Sequence, residues 1–316
     1  MRAIVTLTLN PALDVSLRVD QVAPEQKLRC DAPRRDPGGG GLNVSRAIGE
    51  LGGASVAVYP AGGHTGAELA ERLGAEQLET EAIEIGAATR ENITVTEGNG
   101  GRQFRFNTPG APLRAEEAQL CLDAVDRRLG PGDLLVISGS LPPGAGPEIY
   151  QRAVEFARAR SARTIGDSSG EALRALSDAG CSLLKPNARE LGQLIGEQLD
   201  GAEAIADAAR RLTQSGAAEA IVVSMAQRGA MLITPDLRLQ ATGPEVAQRS
   251  RIGAGDSMVG AMTLALARSA DWDETLRRGV AGGAAAVMTP GTSLLRRDDF
   301  ERIVRQVQTQ EFGGHG

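Results

Sequence analysis

Aromatic residues and histidine are scarce in this chain of 316 residues. Phenylalanine, tyrosine and tryptophan together make up 3% of it, and the 2 histidines, His64 and His315, both lie in glycine-rich stretches. The sequence therefore offers no histidine dyad for catalysis. Any catalytic chemistry must rest on carboxylates, cations or backbone groups.

Cysteine is also scarce, and long hydrophobic runs are missing. Cys30, Cys121 and Cys181 are widely spaced and form no C-x-x-C pair, which argues against a disulfide framework and against a thiolate metal site. No apolar run reaches the roughly 18 residues of a membrane span. The first residues also lack the pattern of a signal peptide. We therefore expect a cytoplasmic protein without a membrane partner.

Lysine is rare, since only Lys27 and Lys185 among the 34 cationic residues are lysines. A lysine ammonium is a compact point charge and an arginine guanidinium is a planar fork, so these two positions are candidates for close phosphate contact. Two lysines left by chance is the alternative interpretation. The net charge of −6 argues against nucleic acid as a partner, and an anionic substrate would need local clusters of cations.

Short apolar runs alternate with helical patterns, which predicts an α/β fold with a mainly parallel sheet. The length suits one large domain with an appendage as well as two average domains. The predicted strands are Ile4 to Leu9, Ser55 to Tyr59, Leu134 to Ile137, Arg163 to Ile165, Leu183 to Leu184 and Ile221 to Val223. The predicted helices are Asn43 to Leu51, Gly66 to Leu73, Ala115 to Leu129, Pro147 to Ala159, Ala188 to Ile195, Ala202 to Gln214, Asp256 to Arg268, Trp272 to Met288 and Arg297 to Gln308.

Residues 15–35 and 91–107 break this rhythm, because both have the pattern of β structure without helices. In the second segment Phe104 and Phe106 alternate with Arg105, and the turn at residues 97–101 predicts a hairpin. We expect the two segments to form a small sheet over the mouth of the main one. Arg105 would then point inward, and the apolar face would need a partner, which predicts a homodimer.

The strongest functional pattern is the glycine-rich turn at residues 251–255, which leads directly into an apolar helix. A helix N-terminus presents unpaired N–H groups and a positive dipole end to an anion. Asp256 stands at the start of this helix, where its carboxylate could cap the helix or accept a proton from a substrate.

A second glycine-rich turn, residues 37–41, leads into a helix near Asn43. It is neither a Walker A motif nor a dinucleotide fingerprint, so it is either a backbone that approaches a ligand or a flexible loop. Asp14 is expected at the end of the first strand, where ligands bind in parallel sheets and a carboxylate can hold sugar hydroxyls.

A third candidate segment, residues 185–191, follows a strand and opens a helix. Asn187 and Glu190 share a face of its first turn, as a hydrated magnesium site would require, or they form an ordinary capping box. Ser224 and Gly229 lie in a strand, turn and strand pattern over residues 221–233 that could hold a nucleotide base or phosphate.

Together these segments resemble the PfkB family of carbohydrate kinases over nearly the whole chain, in order and at matching spacing. The resemblance is carried by Thr6 to Leu9, Lys27 to Cys30, Pro37 to Asn43, Ile137 to Gly144, Asp167 to Leu173, Lys185 to Asn187 and Gly253 to Met262. It implies a ribokinase-like three-layer α/β/α core, residues 1–14, 36–90 and 108–316, with a small discontinuous β-sheet lid, residues 15–35 and 91–107.

The resemblance also implies roles for single residues. Asp256 would be the general base, beside an anion hole formed by the backbone of Gly253, Ala254, Gly255 and Asp256. The sugar would be held by Asp14, Gly39, Asn43 and Ser140, with Arg90 and Arg105 on its existing phosphate. Lys27, Lys185, Asn187, Glu190, Ser224 and Gly229 would serve ATP, with Glu190 also holding magnesium through water.

A potassium ion would lie beside the anion hole, on the backbone near Ser250, Ile252, Ala286, Thr289 and Gly291. Four positions depart from the family pattern. Arg251 stands where threonine or serine is usual, and Ala226 where glycine is usual. Thr289 and Ser293 replace the related enzyme's asparagine and arginine in the potassium loop.

The resemblance implies ATP-dependent phosphorylation of fructose 6-phosphate at its C1 hydroxyl, a step of glycolysis. Fructose-1-phosphate kinases of the family carry a Gly-Lys-Gly loop, whereas this chain has Gly39-Gly40-Gly41, which favours a 6-phosphate substrate. Tagatose-6-phosphate kinase and 1-phosphofructokinase are the alternatives within the family. A non-catalytic regulator that senses sugar or nucleotide is the alternative of a different class, and the presence of Asp256 argues against it.

Overall fold

The computed structural model describes residues 2–98, 101–110 and 112–312, and the main sheet within them has ten strands. Their spatial order is β14 (Gln308–Glu311), β13 (Arg238–Thr242), β12 (Ala230–Ile233), β11 (Ala218–Ser224), β10 (Cys181–Leu184), β9 (Arg163–Asp167), β8 (Leu134–Ser138), β1 (Ile4–Leu7), β4 (Val56–Ala61) and β5 (Glu79–Glu84). The seven strands at one end of this spatial order are parallel to one another, namely β11, β10, β9, β8, β1, β4 and β5. Strands β12, β13 and β14 extend the sheet beyond β11 in antiparallel pairs.

The central strands are buried along their whole length, as in a sheet covered on both faces. All the strands predicted from the sequence are present. Strand β5 was missed, because it lies at an edge and its exposed and half-covered residues give no apolar run. His315 and residues 99–100 of the predicted hairpin turn lie outside the described residues.

Helices cover both faces of the sheet, which confirms the predicted three-layer core. They are α1 (Gly40–Glu50), α2 (Gly63–Ala75), α3 (Ala115–Arg128), α4 (Glu148–Ala159), α5 (Gly170–Ala179), α6 (Ala188–Ile195), α7 (Gly201–Gln214), α8 (Ala254–Ala267), α9 (Trp272–Val287) and α10 (Arg297–Val304), with a 3₁₀ turn at Ala226–Arg228. Helices α3 to α7 pack into one apolar core and α1, α8, α9 and α10 into the other. Helix α5 was not predicted.

Helix α8 is the innermost helix of its layer. It is apolar on all sides, and its residues from Ser257 onward are buried between α1 and α9. Gly260 allows the close approach, because a Cβ there would lie 2.9 Å from the Cβ of Ala47 on α1. The burial fixes the direction of α8, so its N-terminus is held at one place beside the sheet.

A second sheet has four strands, in the order β3 (Arg34–Gly38), β2 (Ala12–Val19), β6 (Arg90–Glu97) and β7 (Gln103–Asn107). The sequence predicted that Asp14 ends the first strand, and this is wrong. Strand β1 ends at Leu7, and Asp14 lies within β2. Residues 8–11 form the short link that carries the chain from one sheet to the other. The small sheet predicted from two distant segments is present, and the residue limits given for it stay a prediction.

The register of the small sheet separates a polar face from an apolar one. Asp14 is paired with Asn92 and Thr94 with Arg105, so these four side chains share a face. The opposite face carries Val15, Leu17, Ile93, Val95, Phe104 and Phe106. Phe106 is 57% exposed.

Ion pairs and hydrogen bonds join the small sheet to the main body. The Arg35 guanidinium on β3 bonds to Glu68 on α2 at 3.0 Å. Asp36 accepts a hydrogen bond from Thr292, and Arg34 Nη2 donates to Ser293 Oγ at 3.0 Å. The small sheet is therefore held by contacts to α2 and to the segment between α9 and α10. No helix in the described part of the chain is long and apolar enough to cross a membrane.

Candidate active site

The candidate site lies where the strand order reverses, between β1 and β8. The chain leaves β1 toward β4 on one side, and leaves β8 toward β9 on the other. Ligands of open α/β sheets bind at such a point, outside the carboxyl ends of the strands. Asn10 follows β1 there and Ser140 follows β8, and Asn10 Nδ2 donates to Ser140 Oγ at 3.2 Å.

Asp256 lies in the first turn of α8 and points toward this crevice. The N-cap is Gly253, in a left-handed conformation with φ 71°, and it carries no side-chain cap. The capping role considered for Asp256 is therefore wrong. Its Oδ2 instead accepts a hydrogen bond of 2.8 Å from Nδ2 of Asn43, on α1. Two helices from opposite ends of the chain thus bring together two of the predicted site residues.

The surroundings of Asp256 change the pKa of its carboxyl. Burial raises the pKa of its carboxyl to about 7, the negative charge of Asp167 adds to the rise, and Asn43 and Lys185 oppose it. A carboxylate with a pKa near neutrality accepts a proton far more readily than an ordinary one while still being available in its ionised form.

The N-terminus of α8 has the geometry of an anion hole. The first intrahelical bond runs from Ser257 N to Gly253 O at 2.8 Å, so the N–H groups of Ala254, Gly255 and Asp256 have no acceptor within the helix. A Cβ at Gly255 would lie 3.6 Å from Nζ of Lys185, which places that ammonium beside the same turn.

Lys185 is buried after β10 and forms an ion pair of 3.0 Å with Asp167, the last residue of β9. Burial alone would lower the pKa of Lys185, but the charge and hydrogen bond of Asp167 raise it overall. The lysine is therefore charged at neutral pH, as a phosphate contact requires. The sequence patterns predicted no role for Asp167, although a carboxylate at the end of a parallel strand is a signal for a site.

The glycine-rich turn before α1 is packed tightly, and the flexible-loop interpretation is wrong. Gly39 has φ 119°, and a Cβ there would lie 2.8 Å from Cγ2 of Thr8. A Cβ at Gly38 would lie 2.4 Å from Oδ2 of Asp14. The glycines thus allow the backbone to pass directly beside the strand ends and the Asp14 carboxylate.

Asp14 and Arg90 define the side of the crevice formed by the small sheet. Burial raises the pKa of Asp14, while the hydrogen bond from Asn92 and the charge of Arg90 oppose the rise. Asn92 Nδ2 donates to Asp14 Oδ1 at 2.8 Å, and the Asn92 oxygen has no hydrogen-bond partner among the described residues. Arg90 donates to the carbonyl oxygens of Thr108 and Asn10, at 2.6 and 3.1 Å.

Two predicted residues are not held in this cluster. Arg105 lies on the face of Asp14, as the alternation predicted, but it is exposed on the edge strand and donates to Gln103 at 3.1 Å. Lys27 is exposed in the loop between β2 and β3. The roles predicted for these two cations therefore stay predictions.

The predicted nucleotide residues come together at the ends of β10 and β11. Asn187 forms an isolated bridge with Ser224, and Asn187 and Glu190 form the capping box considered from their spacing, with bonds of 2.8 and 2.9 Å. Gly229 closes the turn after β11, where a Cβ would lie 1.9 Å from the carbonyl oxygen of Ala241. Ala226, in the same turn, has φ 53°, the conformation that explains why glycine is usual there.

The predicted potassium loop forms a set of buried oxygens next to the anion hole. Ser250 Oγ donates to Gly291 O at 2.7 Å and accepts from Ile252 N at 3.2 Å. Thr289 Oγ1 lies 2.7 Å from Ala286 O and 2.6 Å from Ser293 O, and its single hydrogen can be donated to one of these two carbonyls. Hydroxyl and carbonyl oxygens are the ligands that bind a hard monovalent cation.

Comparisons with known proteins agree with this arrangement. A model of the pfkB family of carbohydrate kinases matches residues 6–298. The chain is 43% identical over 304 residues to ATP-dependent 6-phosphofructokinase isozyme 2 of Escherichia coli (strain K12), which covers 96% of this chain and 98% of that protein. It is 43% identical over 300 residues to the protein of the same name from Mycobacterium tuberculosis (strain ATCC 25618 / H37Rv), with 95% and 88% covered.

Solved structures give the same result. The crystal structure of phosphofructokinase-2 from Escherichia coli in complex with potassium matches with a TM-score of 0.94 and 43% identity, over 96% of this chain and 99% of that one. The structure of that enzyme with fructose-6-phosphate matches with a TM-score of 0.92 and 42% identity, over 96% and 99%.

Proposed function

The chain belongs to the pfkB family of carbohydrate kinases, and we propose that it phosphorylates fructose 6-phosphate with ATP to give fructose 1,6-bisphosphate, a step of glycolysis. The observation that carries the proposal is the position of Asp256. Its carboxylate has a pKa raised to about 7 and lies in the turn whose N–H groups are open to an anion. A proton acceptor and an anion site are thus brought to one place.

In the proposed reaction Asp256 takes the proton of the C1 hydroxyl. The oxygen then forms a bond to the γ-phosphorus of ATP, and the bond from that phosphorus to the oxygen of ADP breaks. The N–H groups of Ala254 and Gly255, together with the Lys185 ammonium, would stabilise the charge on the transferring phosphoryl group. This assignment is supported by the lysine lying beside Gly255.

The sugar would bind between the two sheets. We propose that its hydroxyl groups are bound by the Asp14 carboxylate, the Asn43 amide and the Ser140 hydroxyl. The backbone of Gly39 would lie against the sugar. We propose Arg90 and Arg105 for the 6-phosphate, because guanidinium groups suit phosphate oxygens. Arg90 is supported by its place at the start of β6, beside Asp14.

Magnesium and potassium fit the oxygens present. Asp167 and Glu190 offer carboxylate oxygens for a hydrated magnesium ion, although one Glu190 oxygen is engaged by Asn187 N at 2.8 Å. Magnesium would neutralise phosphate charge, and Asn187, Ser224 and Gly229 would contact the nucleotide. The oxygens near Ser250, Ile252, Ala286, Thr289 and Gly291 would hold potassium, which would add positive charge beside the anion hole.

We further propose a homodimer that forms through the apolar face of the small sheet. The exposure of Phe106 supports it, because a sheet with one uncovered apolar face gains from a partner. In this arrangement the small sheet acts as a lid from which Lys27 approaches the phosphates. We also propose a cytoplasmic location, because the proposed substrates are ATP and a sugar phosphate.

A substrate panel tests the function. Purified protein is offered fructose 6-phosphate, tagatose 6-phosphate and fructose 1-phosphate, each with ATP and magnesium, and the product is identified by NMR. Fructose 6-phosphate should be converted with the highest kcat/KM, and the new phosphate should be on C1. Turnover of fructose 1-phosphate alone would overturn the proposal, as would hydrolysis of ATP without a sugar product.

A further inference from the structure

Arg46 is a buried arginine on α1 that lies one turn after Asn43 and has no place in the ligand set described above. Its side chain is 8% exposed. Nε and Nη2 donate to the two carboxylate oxygens of Glu76, at 2.7 and 2.8 Å, just beyond the end of α2. This bidentate pair fixes the plane of the guanidinium and leaves Nη1 directed toward the active site.

Nη1 of Arg46 donates to two oxygens that belong to the site. One is Asn43 Oδ1 at 3.2 Å, and the other is the carbonyl of Pro37 at 3.0 Å, where β3 enters the glycine-rich turn. A guanidinium has donors and no acceptor, so the group of Asn43 that faces it must be the amide oxygen. The amide nitrogen is then left for the other side, where it donates to Asp256 Oδ2 at 2.8 Å.

We propose that Arg46 is a positioning residue for phosphoryl transfer, which fixes the orientation of the Asn43 amide and thereby the carboxylate of Asp256. The inference rests on the proposed function, in which Asp256 is the base. Without Arg46 the amide is free to rotate by half a turn and present Oδ1 to the carboxylate. That contact is repulsive, so the carboxylate would lose both its hydrogen bond and its defined direction.

A purely structural role for Arg46 would have different consequences. The ion pair with Glu76 ties α1 to α2, and its loss would lower stability without changing the kinetics of the folded fraction. A positioning role predicts a fall in kcat, because a misdirected base acts on the reaction more than on binding. It also predicts that the effect passes through Asn43.

The test is a double-mutant cycle with Arg46→Gln and Asn43→Ala. Glutamine offers both a donor and an acceptor, so it cannot impose one amide orientation. We expect Arg46→Gln to lower kcat by about 10- to 100-fold in the wild-type background, with the KM for ATP within about twofold. In the Asn43→Ala background it should lower kcat by less than about twofold further. Arg238→Gln is the matched control, because Arg238 is 13% exposed and pairs with Glu203 and Asp207 away from the site.

A second readout follows the base itself and needs no turnover. The pKa of Asp256 is measured by carbon-13 NMR in the protein labelled at aspartate, for the wild type, Arg46→Gln and Arg46→Lys. The groups that act on this pKa are Asn43 on α1, Asp14 on β2, Asp167 on β9 and Lys185 after β10, and Arg46 contacts Asn43. Losing the Asn43 donor should raise this pKa, and the acid limb of the kcat/KM profile, which reports the free enzyme, should move to higher pH by the same amount.

The outcomes are separable. An equal loss of kcat from Arg46→Gln with and without the Asn43 side chain would overturn the proposal, and so would an unchanged Asp256 pKa. If Arg46→Gln does not fold, Arg46→Lys replaces it, because lysine keeps the positive charge but not the planar guanidinium. Arg46→Lys should change kcat and the Asp256 pKa in the same directions, by smaller amounts. Failure of the wild type to phosphorylate any hexose phosphate would count against the proposed function, while the NMR titration still decides the role of Arg46.

Discussion

Replacing Asp256 with asparagine separates catalysis from stability. The side chain does not cap α8, and among the described residues its hydrogen bond comes from Asn43, which an asparagine oxygen can also accept. Shape and hydrogen bonding are therefore kept while the proton acceptor is lost. Turnover should fall by about 10²- to 10⁴-fold, the usual contribution of a positioned general base. Both KM values should stay within a few-fold.

The same substitution should make the folded protein more stable above neutral pH. Burial, then the charge of Asp167, raises the pKa of Asp256 from 3.8 to about 7. Because the folded value lies above the unfolded one, the ionised carboxylate destabilises the fold increasingly as pH rises from about 4 to 7, and constantly above 7. At about 1.4 kcal/mol per pH unit the full effect is on the order of 4 kcal/mol, which we reduce to about 1–3 kcal/mol because Asp256 is partly exposed.

Kinetics and urea unfolding on one preparation, at pH 5 and pH 8, test both statements. The advantage of Asp256→Asn in the free energy of unfolding should grow between these pH values. Asp271→Asn is the control, because Asp271 does cap a helix, by accepting from Glu274 N at 2.9 Å, and asparagine caps equally well. Turnover within about threefold of the wild type would refute the base assignment. A stability difference that does not change with pH would refute the buried-charge reasoning.

Arg105→Ala should raise the KM for the sugar phosphate by about ten- to hundredfold, the effect of losing a charge-assisted bond, and a raised KM for ATP alone would contradict this. Phe104→Asp combined with Phe106→Asp should give monomers in sedimentation, and a variant that stays dimeric would count against the proposed interface. Ala226→Gly should stabilise the fold by about 1 kcal/mol, because Ala226 has φ 53°, and a lower Tm would contradict that gain.

The fold was largely predictable because its signals are local. Buried parallel strands give continuous apolar runs, and the small sheet was recognisable from the alternation around Arg105. The parts that were missed lack such signals. Strand β5 is too exposed to give an apolar run. Strands β13 and β14 extend the sheet at its other edge, and they too contain many polar residues.

The site was predictable in its residues more than in its contacts. Asp256 and Asn43 were both named, but their hydrogen bond joins residues that are 213 positions apart, which no spacing rule can reveal. Asp256 is not a cap because α8 begins three residues earlier than an N-cap aspartate would require, with Gly253 as the N-cap in a left-handed conformation. Arg46 gave no signal, since a lone arginine on a helix is usually a surface residue.

The choice between sugar phosphates was argued from Gly40, which stands where fructose-1-phosphate kinases carry a lysine. A Cβ at Gly40 would lie 2.3 Å from Oγ of Ser138 and 2.7 Å from the backbone nitrogen of Gly139. Any side chain there would require the turn after β8 to move, and that turn carries Ser140. A lysine is thus incompatible with the present path of the two loops, so packing fixes a glycine at position 40. Because the turns after β3 and β8 fit together in this way, we predict that a single Gly40→Lys substitution does not convert a 6-phosphate kinase into a 1-phosphate kinase.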